Sequence, residues 1–239
     1  IVGNVDARSV GFGLGPRLNA AGRLGKADSG LHLLTATDLS TAKALAKELE
    51  QTNQERKEIQ EETFLEAESL LRNERDLENE RVIVLASEIF HPGVIGIAAS
   101  KIVDIYHRPT VLIALEEGKG KGSGRSIPKF NLFKAFTNCS SHLIQFGGHA
   151  YAAGLSIEEE NVDAFRDAMN EVGHQFLTDD DLIPEIKLDT TLDLSQIDFQ
   201  FYKNIALLEP FGAENPVPSF QSQGVKIKEL KHMGKEKNH

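Results

Sequence analysis

Residues 81–115 read RVIVLASEIFHPGVIGIAASKIVDIYHRPTVLIAL. Two short apolar runs, RVIVLAS and PTVLIAL, flank a longer one, GVIGIAASKIVDIY. The outer runs have the length and β-branched content of buried strands, and the middle run has helical length. Strands joined through a helix pair in parallel with a right-handed crossover. The stretch predicts a βαβ unit inside a compact α/β domain. After it, the turn EEGKGKG and the run GSGRSI predict an added hairpin strand, giving a mixed sheet. A helix over 131–143, the loop QFGGHAYAAG, a strand LSI and an acidic helix over 158–176 complete the domain.

Upstream, DLSTAKALAKELEQTNQERKEIQEETFLEAESLLRNE contains neither Gly nor Pro, and Asp38 is a good N-cap. The segment predicts a helix about 50 Å long. Its apolar positions gather at the ends: Leu39, Ala42, Leu45 and Leu49, then Ile59, Phe64, Leu70 and Leu71. The middle, EQTNQERKE, is polar all round, the pattern of a helix that bridges two domains through solvent. A coiled coil fails because the heptad lapses there. Residues 1–27 read as glycine-rich and irregular, with a short helix near 29–36. Beyond a linker at 177–183 and Pro184, EIKLDTTLDL and SFQSQGVKIKEL have strand character around the short helical segment YKNIALLEPFG. They predict the start of a small β domain. The chain opens on Ile1 in mid-pattern and stops abruptly, so it is expected to be a fragment of a longer polypeptide.

Composition excludes several classes. Of 239 residues, 40% are hydrophobic and 26% charged, ordinary for a soluble globular protein. No apolar run approaches the roughly 20 residues a spanning helix needs. A single cysteine, Cys139, excludes an internal disulfide framework and a cysteine-only zinc site, and fits a reducing, cytoplasmic setting. The net charge of −10 is segregated. Residues 81–157 carry eight basic and four acidic side chains, whereas 158–198 carry two and thirteen. Local field, not net charge, decides where a polyanion docks.

Three glycine-rich segments can carry chemistry. In GKGKGSGRS, residues 118–126, the glycines admit close backbone approach while Lys119, Lys121, Arg125, Ser123 and Ser126 supply donors suited to phosphate. It is neither a Walker loop nor G-x-G-x-x-G. A flexible hairpin turn with solubilising lysines fits the same residues. Gly147-Gly148-His149 places an imidazole at a crowded turn, where it can donate to phosphate or serve in proton transfer. A lone histidine in a loop is more often structural. Gly15-Pro16-Arg17-Leu18-Asn19-Ala20-Ala21-Gly22-Arg23 sets two arginines among small residues, as anion recognition or a domain-boundary turn would. His91, before Pro92-Gly93 at a helix start, is a natural anion contact. The other histidines, including His232 and His239, show no metal-ligand spacing, and no nucleophile–base pair can be built.

Taken in order, GFGLGPRLNAAGR, the long polar helix, HPGVIGIAASKIVDIYHRPTVLI, GSGRSI, FGGHAYAAGLSI and LLEPFGAENPVPSF resemble the RecJ family of single-stranded-DNA-specific exonucleases, in the DHH phosphoesterase superfamily. FGGH with AAG is the mark of the DHH-associated domain generally; GPRLNAAGR and LLEPFG narrow the resemblance to this family. One departure is Glu214, where the family usually has glycine.

The resemblance implies a processive 5′-to-3′ exonuclease that uses Mn²⁺ or Mg²⁺ and releases mononucleotides during recombination and repair. It implies that residues 1–37 are the C-terminal edge of a DHH catalytic domain, 38–77 a connecting helix, 78–183 the DHH-associated domain and 184–239 a truncated OB-fold. Ser123 and Arg125 would then bind the terminal 5′-phosphate. Gly148 and His149 would lie against the scissile phosphate, with Gly147 beside them and His149 as a donor. Arg17 or Arg23 would touch the DNA backbone, and His91 and Ser126 complete the expected phosphate contacts. The metal ligands, including the Asp-His-His triplet, would lie upstream, leaving this piece inactive alone. Single-stranded DNA with a 5′ end is the implied substrate, with single-strand-binding protein and a helicase as implied partners. A smaller DHH phosphodiesterase acting on oligoribonucleotides or cyclic dinucleotides shares the GGH segment but lacks the long helix and the tail. A non-catalytic strand-binding module is the other alternative.

Overall fold

A computed structural model describes residues 5, 7–25, 28–74, 77–212, 214–229 and 231; His232 and His239 lie outside them. The chain divides into two compact units, the first Arg8–Pro184 and the second the residues from Glu185 on, with which Val5 and Ala7 are grouped.

In the first unit, a π-helical turn at Ser9–Leu14 leads into α1 (Gly15–Arg23), followed by α2 (Asp28–Thr35) and the long α3 (Leu39–Glu74). Asp38 caps α3, accepting the Thr41 N–H at 2.8 Å. The predicted βαβ unit is present as β1 (Ile83–Ser87), α4 (Ile95–Tyr106) and β2 (Thr110–Glu116). β3 (Lys119–Arg125), α5 (Leu132–Asn138), β4 (Gln145–Gly148), β5 (Ala152–Glu158) and α6 (Val162–Phe176) follow. The sheet order is β1-β2-β3-β5-β4, with β1 and β2 parallel and the other pairings antiparallel.

Each face of the sheet has its own core. Val84, Val111, Ile113, Leu155 and Ile157 meet α5 and α6 through Phe136 and Phe165. Ile83, Leu85, Leu112 and Ala114 meet α4 and the end of α3 through Ile102, Phe64 and Leu71. Phe136 is fully buried, with its ring 5.8 Å from Phe165 and 6.4 Å from Phe146. Phe136→Ala is expected to cost about 3–5 kcal/mol, read by urea denaturation. A loss under about 1 kcal/mol would show that the site collapses freely.

Several expectations change. GPRLNAAGR is helical, not irregular. Its Ala20 and Ala21 are fully buried, and α1 packs on α3. The polar middle of α3 is not bathed in solvent on all sides, because Thr52, Asn53 and Arg56 are buried in the first unit. The hairpin strand expected at GSGRSI starts earlier, so KGKGSGR is all strand and not a loose turn. The turn is only Glu117-Gly118, both at positive φ as a two-residue hairpin requires. Gly120, Gly122 and Gly124 face the α5/α6 core, where a Cβ would come within 2.5–2.7 Å of Ile113, Leu155 and Leu132. Glycine on this side lets β3 press against large neighbours, and the alternate residues Lys119, Lys121, Ser123 and Arg125 face the α4 side. The loop QFGGHAYAAG is mostly β4, a tight turn and the start of β5. The helix expected over 131–143 ends at Asn138, and α6 starts at Val162 because Glu158 still belongs to β5.

In the second unit, β6 (Thr190–Thr191) and β7 (Phe220–Gln221) pair in parallel. α7 (Phe199–Ala206), capped by Asp198 through the Phe201 N–H at 2.7 Å, packs Phe201 against Phe220 at 5.4 Å.

Candidate functional site

Distant stretches of the first unit meet at the start of α4. β3 ends on Arg125, and its alternation puts Ser123 and Arg125 on the α4 side. A Cβ on Gly96 would lie 2.7 Å from Arg125 Nη2 and 2.9 Å from Ser123 Oγ. The absence of a side chain at 96 therefore makes room for both donors. Arg125 Nη1 donates to Ser123 Oγ at 3.2 Å and to the Gly124 carbonyl at 2.7 Å, which fixes the guanidinium.

Arg23, the last residue of α1, reaches the same place. Its Nη1 donates to the Gly93 carbonyl at 3.2 Å. Its own carbonyl oxygen lies 2.1 Å from where a Gly93 Cβ would be, so α1 ends in close contact with the loop before α4. Within that loop the Gly93 N–H donates to His91 Nδ1 at 3.0 Å. In the neutral imidazole this bond puts the remaining proton on Nε2 and leaves that nitrogen a donor.

The electrostatics point to an anion. Burial lowers the Arg125 pKa, and the neighbouring Arg23 charge lowers it further. Burial and Arg23 act in the same sense on Arg56 in α3. Arg56 is held by neutral oxygens only: Asn53 Oδ1 at 3.1 and 3.3 Å, and Gln60 Oε1 at 2.5 Å. Among the described residues no carboxylate forms an ion pair with Arg23, Arg56 or Arg125. Partly desolvated like charges without counter-ions raise the energy of the folded chain, and a bound anion relieves it. With a hydroxyl and planar guanidinium forks present, the arrangement suits a phosphate.

The expected contacts divide. Arg17 is neutralised by Glu50, which takes its Nε and, at 3.2 Å, its Nη2, while Nη1 donates to the Gly13 carbonyl at 2.7 Å. The same pairing holds the Glu50 carboxyl below its usual pKa. Arg17 thus ties α1 to α3, and Arg23 is the arginine of that segment beside Arg125. Ser126 does not join them: its Oγ donates to the Phe130 carbonyl at 2.7 Å and its N–H to the Tyr151 carbonyl at 3.1 Å. His149 is exposed in the β4–β5 turn, its N–H donating to Ala152 O at 2.8 Å, and Ala152 is the register partner of Arg125. Gly148 has φ 141° and a Cβ there would meet Ala152 O at 2.5 Å, so this turn requires glycine. Gly147 pairs with Gly154, and Gly154 with Ser123. Arg56 is absent from the sequence-based expectations. Its only signal was an arginine three residues after Asn53 within a run that looked solvated. Among the described residues, no group of three or more His, Cys, Asp or Glu is placed to hold a metal ion. No helix among them is long and apolar enough to cross a membrane.

Comparison with known proteins places these features. The DHHA1 domain family matches residues 79–174, and the RecJ OB domain family matches 188–239. The chain is 37% identical over 240 residues to the single-stranded-DNA-specific exonuclease RecJ of Bacillus subtilis (strain 168), covering all of this chain and 30% of that protein. It is 38% identical over 237 residues to the exonuclease of the same name from Haemophilus influenzae, covering 96% of this chain and 41% of that protein. The crystal structure of RecJ in complex with Mn²⁺ from Thermus thermophilus superposes with a TM-score of 0.81 at 34% identity, over 92% of this chain and 32% of the other. The Mg²⁺ complex gives 0.80. The chain thus spans well under half the length of these relatives. Over the residues it spans, the chain matches a DHHA1 domain followed by a RecJ OB domain and is similar to the corresponding part of the RecJ exonucleases.

Proposed function

We propose that this chain forms part of a 5′-to-3′ single-stranded-DNA exonuclease that hydrolyses phosphodiester bonds to mononucleotides, and that it supplies a 5′-phosphate pocket and a clamp on the strand. The observation that carries the reading is the convergence of Ser123, Arg125 and Arg23 at the start of α4 with, among the described residues, no carboxylate paired to either arginine. The names of the relatives support the activity and the substrate.

In this reading Ser123 and Arg125 hold the terminal 5′-phosphate and so set which phosphodiester is presented. Arg23 and the His91 Nε2–H add donors from the other side. His149, on the exposed turn next to Arg125's register partner, donates to the scissile phosphate and offsets its growing negative charge. Divalent metal, Mn²⁺ or Mg²⁺ as in the two Thermus complexes, would activate water and stabilise the leaving oxygen. Its ligands are proposed to lie in a DHH domain outside this chain, with residues 1–37 as that domain's edge, 38–77 as connector, 78–183 as the DHH-associated domain and 184–239 as part of an OB-fold. A cytoplasmic location, and single-strand-binding protein and a helicase as partners, belong to the same proposal.

The test uses the full-length protein that carries these residues, with Mn²⁺. Mononucleotide release from a 5′-phosphorylated single strand, and none from blunt duplex, is the expected outcome. Absence of release from any strand would overturn the reading in favour of a small-substrate phosphodiesterase, to be assayed next on cyclic dinucleotides. The 239-residue chain alone is expected to show no Mn²⁺-dependent digestion. Digestion by it would contradict the division of labour proposed here.

A further inference from the structure

Beside the phosphate site, on the same face of the sheet, lies a shallow cleft of about 430 Å³ lined by Lys121, Gln145, Phe146, Gly147, Gly154 and Ser156. Register places its side chains in rows across β3, β5 and β4. One row is Lys121, Ser156 and Gln145, and the next is Ser123, Gly154 and Gly147. Directly opposed residues point to the same face, so the second row begins at the phosphate site and continues with no side chain at all. The first row forms a polar rim along it.

Two observations ask for an occupant. Lys121, Ser156 and Gln145 make no side-chain hydrogen bond or ion pair within the chain among the described residues, although Lys121 and Gln145 are exposed and Ser156 is half-buried along one cleft. The bare floor is also not required by the fold. A Cβ on Gly147 would meet nothing within 4 Å, one on Gly154 only the Gly122 carbonyl at 3.6 Å, and neither has the positive φ that favours glycine. Gly120, Gly122, Gly124 and Gly148, in contrast, are each demanded by a contact under 3 Å. The fold gives a reason for those four and none for Gly147 and Gly154.

We propose that this cleft receives the base of the 5′-terminal nucleotide, lying flat on the exposed peptide planes of Gly147 and Gly154 with its polar edge toward Gln145, Ser156 and Lys121. This rests on the phosphate reading above, because a nucleotide anchored at Ser123 and Arg125 must lay its remaining atoms on the adjoining surface. A planar ring can lie directly on peptide planes only where the floor carries no side chains. The amide of Gln145 and the hydroxyl of Ser156 can each donate or accept, so the rim suits any of the four bases. An enzyme that consumes a strand base by base needs this tolerance.

The test measures binding by the full-length protein in EDTA, where no cutting occurs. The probes are 5′-phosphorylated oligo-dT, the same strand with an abasic 5′-terminal residue, and its 5′-hydroxyl form. Wild type is expected to bind the base-bearing end about tenfold more tightly than the abasic end, the worth of one or two net hydrogen bonds. Gly147→Val, whose Cβ would meet nothing within 4 Å, should bind both at the abasic level and keep its preference for 5′-phosphate over 5′-hydroxyl. Gln145→Ala, on an edge strand, should lower the discrimination without altering the melting temperature. Equal wild-type affinity for base-bearing and abasic ends would overturn the base site while leaving the phosphate site intact. So would full discrimination retained by both variants. Loss of the 5′-phosphate preference in Gly147→Val would assign that residue to the phosphate instead, and absence of that preference in wild type would overturn the phosphate reading itself.

Discussion

Arg125→Ala is expected to weaken binding of 5′-phosphorylated single strands by about 10- to 100-fold, the worth of one hydrogen bond to a charged group. Binding of 5′-hydroxyl strands should change little. The asymmetry follows from the position of the side chain. Arg125 is half-buried, already bonded to Ser123 Oγ and the Gly124 carbonyl, and among the described residues paired with no carboxylate. Little ordering is left to do when an anion arrives, and no internal ion pair has to break. The variant should not lose stability, because it removes a desolvated charge that faces Arg23. Steady-state digestion by the full-length protein would show the same contrast as slower release from phosphorylated ends. Raising the salt concentration should weaken wild type more steeply than the variant, since each phosphate contact removed reduces the counterions released. An equal loss on both kinds of end would mean that Arg125 touches the backbone generally and selects no terminus.

Much of this architecture was legible in the chain, and what was missed has specific causes. The β1–α4–β2 unit announced itself because strands buried on both faces must be continuously apolar, and its helix is nearly so. α3 was visible over its whole length because 38–74 contains no breaker and begins on a capping aspartate. α1 was not, since it packs through Ala20 and Ala21, whose burial depends on small size and leaves no hydrophobic stripe. β3 was only half visible for a similar reason: a strand was expected from Gly122 on, but its inward residues are glycines, so the alternation over Lys119–Lys121 was written in size instead of polarity and read as a turn. The site shows the same limit. Ser123 and Arg125 could be singled out from donor chemistry, but the choice between Arg17 and Arg23 depended on where Glu50 and Gly93 lie, 33 and 70 residues away. Arg56 could not be found because a buried guanidinium held by an asparagine and a glutamine looks, in sequence, like an exposed helix surface.

Two neighbouring glycines should separate the fold from the site. Gly93→Ala would place a Cβ 2.1 Å from the Arg23 carbonyl oxygen, a backbone atom at the end of a helix, so α1 or the start of α4 has to move. The expected cost is about 1–3 kcal/mol, as for other overpacked positions, with a fall of roughly 2–4 °C in melting temperature for each kcal/mol in a chain of this size. Gly96→Ala meets only the far ends of side chains, Arg125 Nη2 at 2.7 Å and Ser123 Oγ at 2.9 Å. Those can swing aside, and within a helix alanine is favoured over glycine by about 1 kcal/mol. Gly96→Ala should therefore melt no lower than wild type while losing most of its preference for 5′-phosphorylated ends, because the two donors can no longer sit together against the helix start. A fold equilibrium and a ligand preference are thus moved by substitutions three residues apart, in opposite combinations. If Gly96→Ala kept the full 5′-phosphate preference, the phosphate could not be bound by Ser123 and Arg125 in the arrangement described, whatever Arg125→Ala had shown.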